Sequence, residues 1–327
     1  MDTYPISGKS LERYYHIDGT QFVQQYKDHL SEFNSWDQVS HAEEWILFPD
    51  NIGKYLSIDE TALSNGELYT ILTNKNAKGK KGAIVAMVNG TKSDKVIEVL
   101  EKIPLSKRRK VKEVTMDMAN SMNVITRTCF PKATQVIDRF HVQKLAYEAI
   151  QEIRIKYRWE AIDLESEAIR IARYNHTSYK PVVLENGDTI KQLLARSRYL
   201  LFKPMNKWTD KQKQRARILF AQYPELKKAY LLTHSLRDIF TKNTDKSVAL
   251  TKLAQWYNRV ENEGFASFRS IMNTIHDHYR NILNYFDNRS TNASAESFNA
   301  KLKAFRSVLR GVSDIKFFMF RVSKIYA

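Results

Sequence analysis

The sequence predicts an α/β fold: a mixed five-stranded sheet flanked by helices and interrupted by a large all-α insertion. Three observations carry this. Three short apolar, β-branched runs follow one another between turn-prone linkers. Two strand–helix alternations come next. From residue 142 to about 286 the strand signals give way to helical periods.

Residues 1–52 read as a short helical lead-in, in which Asp18 caps a brief helix bearing Phe22, Tyr26, Leu30 and Phe33. From residue 53, YLSIDETAL, ELYTILTN and GAIVAMVN form the first three strands, separated by SNG and the basic loop KNAKGKKG. Such short links imply antiparallel neighbours. KSDKVIEVLEKI places Val96, Val99, Leu100 and Ile103 on one helical face, and Pro104 stops it. VKEVTMDM is a fourth strand, ANSMNVITRTCF a helix and TQVIDRFHV a fifth strand, closing the first part of the core at residue 141. Within the insertion, residues 142–286, only VVLENGDTI breaks the helices, as a turn or small hairpin, and Trp256 reads as core. Residues 287–327 return to the core as two helices.

Among the 327 residues, 52 Lys and Arg face 36 Asp and Glu, a formal net charge of +16 that favours a polyanionic partner, nucleic acid first. A single cysteine, Cys129, excludes disulfides and thiolate-rich zinc fingers within the chain. The N-terminus has no signal-type apolar stretch and no run is long enough to cross a bilayer, which predicts a cytoplasmic protein with access to chromosomal DNA.

Asp59 and Asp117 each follow an apolar residue on a strand. Singly, such an acid reads as a strand cap or an ion-pair partner. Jointly they say more: if the fourth strand lies parallel beside the first, the two carboxylates meet across one inter-strand spacing of about 5 Å. Carboxylates that close repel unless a cation lies between them. Oxygen ligands without thiolates suit Mg²⁺ or Mn²⁺, and two such ions can activate a nucleophile and steady the leaving oxygen of a phosphodiester.

A third carboxylate is offered by the last core helix, capped by Asn292 or Ser294. Phe298, Leu302, Phe305, Leu309 and Val312 form its apolar stripe, while Glu296, Asn299, Lys303, Arg306 and Arg310 share another. A first-turn Glu gains a little from the helix dipole, but that leaves the cationic turns behind it unexplained. A metal-binding Glu followed by phosphate-binding residues accounts for both features. Asp138, Arg139 and His141, in IDRFHV, read either as a strand-terminating Asp–Arg pair with a backbone-bonded histidine or, for Asp138, as a rival second metal ligand.

SIDET, VTMDMANSM, QVIDRFHVQK, RYLLFKPMNKWTDKQKQ and TNASAESFNAKLKAFRSVLRGVSD together resemble the bacterial insertion-sequence transposases with a DDE domain, the ISL-three group. The resemblance runs from about Tyr55 almost to the C-terminus. It implies a ribonuclease H-like core and puts the triad on Asp59, Asp117 and Glu296, with Asp138, Arg139 and His141 in a supporting box. It also implies two Mg²⁺ or Mn²⁺ ions, transposon ends and target DNA as partners, and a homodimer or larger assembly on DNA. Relatives carry an N-terminal cysteine-rich finger and helix-turn-helix. Here about fifty cysteine-free residues precede the core, so a separate end-recognition polypeptide or a truncated copy is expected. The competing readings are a stand-alone structure-selective nuclease and a non-catalytic DNA-binding remnant of a transposon.

Overall fold

The computed structural model describes residues 1–64 and 66–327; Asn65, the centre of the expected SNG turn, lies outside them. The chain divides into two compact units, one formed by Met1–Asp138 with Asp287–Ala327, the other by Arg139–Phe286.

The first unit is built on a sheet of six strands, β1 (Trp45–Leu47), β2 (Tyr55–Ser64), β3 (Glu67–Asn74), β4 (Ile84–Asn89), β5 (Glu113–Met116) and β6 (Thr134–Ile137), in the order β1-β4-β3-β2-β5-β6. The pairs from β1 to β2 are antiparallel, whereas β2–β5 and β5–β6 are parallel. Five strands are expected from the sequence; the sixth is β1, inside the stretch read as purely helical. Three residues are too few to establish a period, and its partner segment Ala86–Val88 lies about forty residues on, so no local pattern marks it.

On one face of the sheet pack helices of the stretch between β4 and β6, Ser93–Glu101 and Asn120–Cys129 among them, burying Val99, Leu100, Met122, Ile125 and Cys129. The other face receives two C-terminal helices. Numbering only the helices that bear on the site, these are α3 (Ala293–Val308) and α4 (Ile315–Tyr326), after the lead-in helices α1 (Gly8–Tyr15) and α2 (Gly19–Gln25). Phe298, Leu302 and Phe305 of α3 join Phe318, Met319 and Val322 of α4 over Ile46, Leu63, Tyr69, Ile71 and Met87. Because both faces are covered, β4 reads as a nearly continuous apolar run and every residue of β5 is buried. The lead-in has no core of its own; Tyr26 and Phe33 pack on Phe317 and Phe320 of α4. The α3 helix ends at Val308 rather than continuing through Val312, and Arg310 follows at φ 55°, a left-handed conformation that reverses the chain.

The second unit is helical, and among its described residues there is no strand. It opens with a 36-residue helix, Arg139–Tyr174. The fifth expected strand therefore stops at Ile137: Val142, Ala146, Ala149 and Ile150 are buried at helical spacing, and that period captures the segment after Asp138. VVLENGDTI forms a turn closed by Leu184 N–H on the Asp188 carbonyl at 2.8 Å, with no ladder. Trp256 is buried and donates Nε1–H to the Leu232 carbonyl at 3.0 Å.

Leu302 is fully enclosed between α3 and the sheet. Leu302→Ala is expected to lower the unfolding free energy by about 2–5 kcal/mol in a urea titration, whereas a shift under 1 kcal/mol would mean that α3 is not held by this packing.

Candidate active site

The β2–β5 register pairs Tyr55 with Glu113, Leu56 with Val114 and Ser57 with Thr115. Asp59 and Asp117 each lie two residues beyond the last of these pairs, at the same offset on neighbouring parallel strands. By the period of two, Asp59 shares its face with Ile71 opposite, the face α3 covers. Each acid is held by short-range bonds. Asp59 accepts from its neighbour Glu60 N–H at 3.0 Å and from the Asn299 side-chain amide at 2.8 Å. Asp117 follows the last residue of β5 and accepts from Ala119 N–H at 2.8 Å, an Asx turn that starts the next helix.

The start of α3 is pinned from two sides. Asn292, its N-cap and fully buried, donates its backbone N–H to Asp138 at 3.0 Å and its side-chain amide to the Ile58 carbonyl at 3.3 Å. Its own carbonyl accepts Glu296 N–H at 3.0 Å. Asn292, Glu296 and Asn299 are spaced i, i+4, i+7 and share one helical stripe. Glu296 thus stands between two residues tied to consecutive positions of β2, Ile58 and Asp59. Its carboxylate is exposed to solvent. Among the described residues no three His, Cys, Asp or Glu side chains are gathered at metal-holding distance.

A family model described as transposase, that of the ISL-three group with a DDE domain, matches residues 56–322. The chain belongs to this family. No curated protein and no solved structure gives a match. The matched span of the transposase starts on β2, ends in α4 and includes the whole second unit. None of its described helices is long and apolar enough to cross a membrane.

Glu60 is a third acid beside the strand pair, and sequence reasoning passed over it although it directly follows Asp59. Burial, then the negative charges of Asp117 and Asp59, raise its carboxyl above the usual glutamate range. Beneath the same face Glu113 is buried, receiving Lys75 Nζ at 3.5 Å and the Asn288 amide at 3.0 Å. Lys75 also donates to Thr115 at 2.8 Å, and burial holds its ammonium below the usual lysine range. This pair, too distant in sequence to be read from it, ties down the strand of chain that leads into α3.

The remaining predicted residues separate. Asp138 is buried at the end of β6, where its N–H continues the ladder to the Met116 carbonyl at 3.0 Å. Arg139 and His141 belong to the second unit, Arg139 lying over the Tyr285 ring at 5.7 Å and His141 half-buried beside Phe140. Asn299 and Arg306, expected to meet DNA, point inward. Arg306 is 7% exposed and lies 2.7 Å from the Glu67 carboxylate, an ion pair without hydrogen-bond alignment, and over the Phe318 ring at 5.9 Å. Lys303 and Arg310 face solvent.

Two outcomes follow from these placements. Asp138→Ala strands the buried Asn292 N–H and is expected to cost about 1–3 kcal/mol in urea unfolding, with no loss counting against the clamp. Because folding raises the proton affinity of Glu60, its ionised form opposes folding at neutral pH. Glu60→Gln should therefore raise the urea midpoint above the carboxylate range, an advantage that fades as pH falls and Glu60 protonates; equal midpoints at pH 7 would remove the repulsion.

Proposed function

We propose that this transposase is a catalytic subunit that, with divalent cations, cuts the phosphodiester at insertion-sequence ends and joins the freed 3′-hydroxyl to target DNA. The observation that carries the reading is the shared level of Asp59 and Asp117 on adjacent parallel strands, with α3 fastened to Asp59 through Asn299. The antiparallel run β4-β3-β2 continued by parallel β5 and β6, with α3 across their face, supports a ribonuclease H-like core.

DDE transposases generally use divalent metals, and the residues here fit such ions. The donors are carboxylate oxygens, the set Mg²⁺ and Mn²⁺ prefer, and carboxylates gathered this closely repel unless a cation lies between them. In this reading Asp59, Asp117 and Glu296 would hold the ions. Bound there, the ions would supply Lewis-acid stabilisation of the attacking and leaving oxygens. Asn299 holds the Asp59 carboxylate in orientation, while the side-chain torsions of Glu296 let its carboxylate close on the strand pair. Lys303 and Arg310 hold backbone phosphates. Cleavage forms one P–O bond to water as the bond to the 3′ oxygen breaks. Joining forms a P–O bond to the freed 3′ oxygen as a target P–O bond breaks.

Two ends must be processed, which calls for a dimer or larger assembly on DNA. The test is Asp59→Asn in a plasmid-nicking assay with Mg²⁺ or Mn²⁺. The expected result is about a thousandfold loss of nicking with DNA affinity changed less than about twofold. Undiminished nicking would remove Asp59 from the mechanism.

A further inference from the structure

A cleft of about 820 Å³ opens in the first unit between α1 and α2 on one side and the turn after α3 on the other. Val23, Val312 and Phe317 contribute apolar floor, and Lys9, Arg13 and Arg310 stand on its rim. All three cations are exposed, and among the described residues none of them is in an ion pair. Lys27, also in the lining, is neutralised by Asp314 at 2.7 Å, and buried Arg321 is committed to the Ile6 carbonyl at 2.9 Å, which leaves Glu12 as the only acid opposing the rim. Tyr14, 73% exposed, lines the same cleft and offers an open ring face.

An apolar floor beneath a cationic rim matches an unstacked nucleotide strand, whose bases seek apolar and aromatic surface while its phosphates seek Lys and Arg. A duplex keeps its bases stacked inside and would engage the rim alone. The turn that walls this cleft also walls a second one, of about 740 Å³, lined by Lys303 and Arg310, so the cationic track continues along α3. From Glu296 to the end of α3 the helix rises about 18 Å, a span of only a few nucleotides.

We infer that this cleft binds single-stranded DNA, the flank a few nucleotides from the phosphate that is cut. The inference rests on the proposed function only for the source of the strand, since single-strand affinity requires no cleavage.

The test is fluorescence anisotropy of the full chain with a labelled oligothymidylate 15-mer and with a duplex of equal length. The variant K9A/R13A, at exposed positions, is expected to weaken single-strand binding at least tenfold at 100 mM salt. It should also flatten the salt dependence of log K by about 1.4, with duplex binding, which meets the same rim cations, weakened as well. Tyr14→Ala is expected to weaken single-strand binding about five- to tenfold through lost stacking, while duplex affinity moves less than about twofold. Single-strand affinity unchanged in both variants, or duplex binding reduced as much as single-strand binding by Tyr14→Ala, overturns the cleft. The Asp59→Asn chain keeps its single-strand affinity; if it nevertheless cleaves, the catalytic reading falls while the cleft stands.

Discussion

The site depends on how α3 begins. Apolar packing of Phe298, Leu302 and Phe305 holds the helix on the sheet, but burial is non-directional and would tolerate a small slide along the groove. Direction comes from Asn292, which bonds Asp138 at the end of β6 and the Ile58 carbonyl on β2 at once. Both bonds are buried, where a missing partner is costly, so the first turn has one register. Glu296 inherits that register through its N–H on the Asn292 carbonyl, and Asn299 repeats the fastening two turns after Asn292, on Asp59. Asp138, which the sequence offers as a rival metal ligand, accepts the N–H that starts α3.

Charge is sorted by depth. Acids collect in the middle of β2 and just past the end of β5, where burial, then the charges of Asp117 and Asp59, raise the proton affinity of Glu60. Several cations are structural: Lys75 on Glu113, Arg306 on Glu67 and Arg321 on the N-terminal carbonyls. Lys303, Arg310 and the lead-in pair Lys9 and Arg13 are exposed and free to meet a polyanion. The count of 52 Lys and Arg therefore overstates the interactive surface, because some of them are consumed inside the fold.

The level of Asp59 with Asp117 was legible in the sequence, because both acids follow apolar strand residues and a parallel pair sets equal offsets in register. The α3 wheel was legible only to within a turn's width. Asn299 lies one turn after buried Ala295, and Arg306 one turn after buried Leu302, each only about 40° from its neighbour on the wheel. They stand at the border of the apolar stripe, and packing draws them in, whereas Glu296, Lys303 and Arg310 lie further round and stay exposed. β1 and the Lys75–Glu113 pair depend on partners about forty residues away, which local periodicity does not encode. The end of β6 was misread because apolar and β-branched residues around Asp138 satisfy either period until the following helix is counted.

The central claim is that three acids from β2, β5 and α3 address one cation site. Fe²⁺ substituted for Mg²⁺, with ascorbate and peroxide, cuts a polypeptide near the residues that hold the ion. The account predicts backbone cleavage clustered around residues 59, 117 and 296, suppressed by excess Mg²⁺. Cleavage near 59 and 117 alone, or at sites elsewhere in the chain, would contradict it.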